Sequence, residues 1–308
     1  MQPTLTAIAP AAPAPGISVR RLTGSIRRSE WVVLVFLCYT QALTGVLPVS
    51  TAVQTKVALW NCALVLAYAI LLYVDSVRHS LFASIARDWL ALAAVLLAYR
   101  EMGWFAQPHA LAMLESRWIL WDRLLLRGGA KAAIEALGPV LPSILEIAYS
   151  LVYALAPFCI AVLYLTGYRE RVDQFLFVFV LSVLLCYAQF PFWPSEPPRV
   201  VFSGEDIPGY YTIFRRFNLW MLGSYGIHTS VFPSAHVGGA FAAAFGLRRA
   251  APTARNVTRF VFMIAILIAM ATVYGRYHYA VDALAGLLIA TSVYFIGRRR
   301  PNHSPERQ

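Results

Sequence analysis

The chain has 308 residues; 59% are hydrophobic, 14% aromatic and 13% charged, with a mean hydropathy of +0.61. So much apolar surface excludes a soluble domain of this length. It also excludes disorder for the bulk of the chain, because disorder needs low hydrophobicity. The 26 Lys and Arg against 15 Asp and Glu leave a net charge of +11. In a helical membrane protein that excess reports topology before it reports nucleic acid, and no nucleic-acid partner is expected.

Residues 1–29 are expected to form a disordered, basic N-terminal tail, with Pro3, Pro10, Pro13 and Pro15 followed by Arg20, Arg21, Arg27 and Arg28. An apolar run from Trp31 to Val49 comes next. Arginines before an apolar run resemble a signal peptide, but this run is long for one, has aromatic edges and lacks a small-residue cleavage pattern. It is expected to stay as a first span. Further runs of roughly 18–25 residues, the length that crosses a bilayer as helix, fall at about 57–74, 82–99, 142–166, 173–193, 231–247, 259–275 and 279–297. The pattern predicts an all-α polytopic membrane bundle of about eight spans, three of them in 30–99, with a core at 142–298 and a basic tail at 299–308.

An even number of spans puts both termini on one side. Arg248, Arg249, Arg255 and Arg259 crowd one short connection, and Arg298, Arg299 and Arg300 follow the last span. Basic short connections mark the cytoplasm, so both termini are predicted there. Residues 100–141 then lie on the other side. In them Trp118, Ile119, Trp121, Leu124, Leu125 and Leu126 interleave with Arg117, Asp122, Arg123 and Arg127. This is an amphipathic pattern, either lying in the interface or capping the bundle. Cys38, Cys62, Cys159 and Cys186 fall inside apolar runs without pair spacing, so neither a disulfide framework nor a metal site is expected.

Three polar segments share the non-cytoplasmic side: Pro194 to Arg199, Phe232 to His236, and Tyr274 to Asp282. His278 and Asp282 are four apart and share a helix face. A carboxylate there accepts the imidazole Nδ1–H and leaves Nε2 as a nucleophile, or the pair simply pins a helix end. His236 opens a Gly-rich helix after Pro233 and Ser234, and the free N–H groups of such a first turn bind anions. Ser234 donates a hydroxyl to an anion or caps the helix. Arg199 and Arg276 offer forked donors for phosphate. Together these residues point to phosphoryl transfer without a metal or cofactor, one histidine attacking phosphorus and the other protonating the leaving oxygen.

The sequence resembles the type-2 phosphatidic acid phosphatase superfamily, whose signatures are Lys-x6-Arg-Pro, Pro-Ser-Gly-His and Ser-Arg-x5-His-x3-Asp. Pro233-Ser234-Ala235-His236 matches the second with Ala for Gly, and His278-x3-Asp282, continuing Ala283-Leu284-Ala285-Gly286, matches the third. The resemblance implies a six-helix phosphatase-like core, with His278 as the nucleophile that forms a phosphohistidine, Asp282 orienting it and His236 as the general acid. Arg199 falls where the first motif's arginine belongs. Phe192 stands in place of the motif lysine, Pro198 precedes the arginine, and Ala271-Thr272 replace Ser-Arg, so Arg276 is the candidate substitute. The Pro-Pro-Arg and Arg-Tyr-His-Tyr stretches look like the branch of inositol phosphorylceramide synthases, as do Trp121-Asp122-Arg123, Glu146, Tyr149 and Tyr153. What this implies is a metal-independent phosphatase or phosphotransferase for a phospholipid, polyprenyl or sphingolipid phosphate. It would act at the face turned to the periplasm, exterior or lumen. An inositol-phosphate headgroup transferase is the neighbouring reading. A transporter or a non-catalytic scaffold is the reading of another class, and span middles poor in ionisable groups speak against transport. His228 reads as a solvated loop residue, and His79, His109 and His303 as surface residues. Arg215 and Arg216 read as interface-flanking charge, and Tyr210, Tyr211, Trp220 and Tyr225 as an aromatic belt.

Overall fold

The structure is a computed structural model, and it describes residues 24–105, 112–204, 206–227 and 230–297. Residues 1–23 of the predicted N-terminal tail, Arg298 and the whole predicted C-terminal tail at 299–308, with His303, lie outside the described residues, as do His109 and His228. The long helices are α1 (Arg28–Val46), α2 (Thr51–Arg78), α3 (Leu81–Met102), α6 (Val140–Leu165), α7 (Val172–Tyr187), α10 (Ala235–Ala250), α11 (Arg255–Tyr274) and α12 (Ala280–Gly297). Between them run α4 (Ala112–Leu125), α5 (Lys131–Glu135), α8 (Pro198–Val201) and α9 (Ile213–Tyr225). No strand occurs among the described residues. The chain is an all-helical polytopic bundle and an integral membrane protein.

Each predicted span coincides with one long helix, and six of them are long and apolar enough to cross a membrane: α1, α2, α3 with the tight turn after it, α6, α11 and α12. The other two, α7 and α10, have 16 residues each. That is about 24 Å of helix, short of the ~30 Å hydrocarbon thickness. Helix α10 is the hub, packed against α6, α7, α11 and α12. Its glycines and alanines, Gly238, Gly239, Ala240, Ala242, Ala243, Ala244 and Gly246, are buried. Small residues let backbones approach where lipid supplies no hydrophobic drive. The same composition explains why this span carries the weakest hydropathy signal.

At one end of the bundle buried ion pairs tie α1, α2 and α3 together. Arg27 Nη1 lies 2.6 Å from Asp88, and Arg87 pairs with Glu30 at 2.7 Å and Asp75 at 2.6 Å. Tyr164 donates to Asp88 at 2.7 Å and the Ser29 hydroxyl to Asp173 at 2.6 Å, which adds α6 and α7. Charges this deep persist only when paired. The N-terminal tail predicted to extend to residue 29 therefore ends sooner, since Arg27 and Ser29 belong to this network and α1 opens at Arg28.

At the other end α4 lies over the bundle. Glu115, Trp118, Ile119 and Asp122 face inward and are buried, while Trp121 and Leu124 are 56% and 76% exposed. The amphipathic stretch thus caps the bundle with one face and presents an apolar face outward. The residues that hold it down are mostly the polar ones.

Candidate active site

Backbone hydrogen bonds sew the three polar segments into one site. Ser230 N donates to Ser195 O at 2.6 Å, Arg199 N to Arg276 O at 3.1 Å, and Ser234 N to Asp282 O at 3.0 Å. Arg276 has φ +61, a left-handed conformation that turns the chain between α11 and α12. Tyr277 N and His278 N both donate to Thr272 O, at 2.9 and 3.0 Å, closing the end of α11. The close approach of α10 to α12 depends on Gly286. A Cβ there would meet the Ser234 carbonyl oxygen head-on and come within 3.0 Å of Gly238 N. This approach sets the His236 and His278 rings 5.5 Å apart, centroid to centroid.

His278 is 5% exposed, and its Nδ1 lies 3.0 Å from Val231 O. A carbonyl oxygen only accepts, so Nδ1 carries the proton and Nε2 keeps its lone pair. Asp282 Oδ2 stands farther off, 3.4 Å from Nδ1, and accepts from Tyr279 N at 2.9 Å. The i, i+4 spacing assigns the Nδ1–H to Asp282; in the structure the Val231 carbonyl lies nearer to it, at 3.0 Å against 3.4 Å, and the carboxylate stands behind. Burial, and then the charge of Arg199, push the His278 pKa down to about 3, so the ring is neutral. His236 stacks on Tyr149 with centroids 4.9 Å apart and 12° between planes, and meets Tyr153 edge-on at 6.1 Å. Its Nε2 is buried without a partner among the described residues.

Both histidines and Arg199 line a cavity of about 180 Å³. Away from them its walls are mostly apolar and aromatic, with Val95 and Leu96 from α3, Ala156 from α6 and Val183 from α7. Arg199 contacts the Tyr277 ring at 5.5 Å and has no carboxylate partner among the described residues. Burial lowers its pKa.

Two predicted phosphate ligands sit elsewhere. The Ser234 hydroxyl is fully buried and caps α10, accepting from Val237 N at 3.3 Å. Arg276 is not among the residues lining the histidine cavity; its Nη1 pairs with Asp122 at 2.6 Å. Asp122 also accepts Ala280 N at 2.9 Å, so α4 steadies the loop that carries His278.

Arg215 is not interface-flanking charge. It pairs with Glu146 at 2.9 Å, and Glu146 also accepts from Asn218 at 2.8 Å and Tyr277 at 2.6 Å. The signals were a lone glutamate in an apolar span and the i, i+3 polar pair Arg215 and Asn218 on α9. Tyr277 stacks on Tyr149 at 4.1 Å. It extends the aromatic column under His236, and nothing in its sequence neighbourhood announced that role.

Neither a curated protein nor a solved structure matches the chain. Residues 123–296 match the family model of the PAP2 superfamily. That stretch exceeds half of the 308 residues and holds both histidines, Asp282, Arg199 and the aromatic column. The chain belongs to the PAP2 superfamily.

Proposed function

We propose that the protein is a lipid phosphate phosphatase or phosphotransferase that works through a phosphohistidine on His278. The reading rests on one observation above the others: a neutral imidazole with its Nε2 lone pair free, a second histidine and an uncompensated arginine share a cavity whose remaining walls are mostly apolar and aromatic. The acyl or prenyl chain lies along those walls and its phosphate meets Arg199. Nε2 of His278 attacks phosphorus, and the bond from phosphorus to the lipid oxygen breaks. His236 gives that oxygen a proton. The positive charge that develops on the His278 ring is stabilised by the Val231 carbonyl and the Asp282 carboxylate. Water or an alcohol then attacks phosphorus, the bond from phosphorus to Nε2 of His278 breaks and returns its lone pair to the ring, and His236 takes the acceptor's proton. Water gives a phosphatase; an alcohol gives a transferase, and the inositol-phosphate transferase belongs to this second case. Ser234 acts through the cap on α10. By the arginine distribution the cavity opens on the non-cytoplasmic side.

The test is a rapid quench of purified protein with a ³²P-labelled lipid phosphate in alkali, followed by peptide mapping. Label on His278 is expected, and His278→Ala should lower turnover by at least ~10³-fold. A His278→Ala enzyme with full activity would sink the reading. Phosphate release with and without an added polyol acceptor separates hydrolysis from transfer.

A further inference from the structure

We propose that a second cavity beside the first is a binding site for another phosphate group. Arg199 lines both cavities; the second, of about 370 Å³, adds Arg215, Arg276, Ser203, Tyr211 and Ile207. Arg276 is 1% exposed and Arg215 3%. Their carboxylate partners each take one Nη1, Asp122 at 2.6 Å and Glu146 at 2.9 Å. Nε and Nη2 of Arg276 and Nε of Arg215 are left buried with no partner among the described residues. Buried donors without acceptors are costly, and a guanidinium presents five of them in a fixed fork. Three guanidiniums against two carboxylates leave the cluster one positive charge in excess. A ligand that meets these demands is compact, anionic and rich in acceptor oxygens, which describes a phosphate. The site is separate from the histidines, since Arg276 and Arg215 line the second cavity and not the first.

That phosphate has two possible sources, a second phosphate on the substrate's polar end or free inorganic phosphate. The substrate source rests on the histidine cavity holding the reacting phosphate; the site itself does not. The experiment measures kcat/KM for a lipid monophosphate and the diphosphate of the same alcohol, with inhibition by inorganic phosphate in parallel. If the substrate supplies the group, Arg215→Gln lowers kcat/KM for the diphosphate about tenfold more than for the monophosphate, as losing a charged donor implies. If free phosphate supplies it, inhibition is non-competitive and the variant raises the inhibition constant about tenfold. Arg215→Gln disturbs a buried pair, so Ile207→Glu is the second variant. Ile207 is half-exposed and belongs to neither ion pair, so a carboxylate there repels an incoming phosphate without removing an arginine or its partner. If Ile207→Glu changes both lipids alike and leaves phosphate inhibition as it was, the proposal is overturned. Binding of the lipid's methylene diphosphonate to His278→Ala, followed by thermal shift, separates the two readings. Binding weakened by Ile207→Glu upholds the second site whatever activity His278→Ala retains.

Discussion

His278 keeps its Nε2 lone pair because a backbone carbonyl, not a side chain, sits nearest its Nδ1. Where an aspartate alone sets the tautomer, its change to asparagine costs about 10⁴ in kcat. Here the Val231 carbonyl fixes the tautomer whatever residue 282 is, which in the proposed mechanism leaves Asp282 to contribute charge to the developing imidazolium. Asp282→Asn should therefore lower single-turnover rates by about 10²-fold, distinctly less than a triad aspartate. A loss of 10⁴ or more would show that the carbonyl does not hold the proton. The spacing of His278 and Asp282 was legible in the sequence because a helix repeats. The Val231 carbonyl was not, since every residue has one and its direction depends on the loop. The same blindness hid the partner of Arg276: Asp122 is 154 residues away along the chain, and no local pattern links them.

Among elements, the contact between α10 and α12 governs the site. Proline and serine at the start of α10 and glycine at 286 were readable as motif letters, but their purpose is steric. Ser234 O and Gly238 N are backbone atoms and cannot swing aside for a Cβ at position 286. Gly286→Ala must push the helices apart, and with them the two histidine rings. Displacements of about 1 Å in catalytic groups cost on the order of 10²-fold, so kcat should fall by about that much while the protein still inserts and purifies. An alanine variant with wild-type kcat would show that the histidine spacing does not depend on this contact. Helix α4 teaches the complementary lesson. Its amphipathic letters were plain, but the inward face is set by Glu115 and Asp122, which accept Glu196 N and Ala280 N at 2.7 and 2.9 Å. A hydrophobicity pattern cannot foresee polar residues chosen as anchors.

For the whole molecule, composition identified the membrane, and runs of apolar residues located the long helices. Which of them stand at the centre was hidden, because α10 is central through being small-sided and not through being greasy. Which of them stand apart was hidden as well. Helices α3 and α6 both line the histidine cavity, yet they are not among the extensively packed helix pairs. Leu96 on α3 and Tyr153 on α6 line it while being 59% and 51% exposed. Lining residues this exposed bring the cavity to the outer surface of the bundle beside α3 and α6, a surface that lipid would cover in a bilayer. On the proposed function a lipid phosphate would enter there with its tail trailing into the bilayer, whereas a short-chain ester would reach the histidines without using the gap. Leu96→Trp narrows the opening and leaves the polar end of the cavity alone. It should lower kcat/KM about tenfold more for a long-chain lipid phosphate than for its short-chain analogue, in line with 1–2 kcal/mol of steric cost. Equal effects on both chain lengths would mean that the lipid enters from the end of the bundle instead.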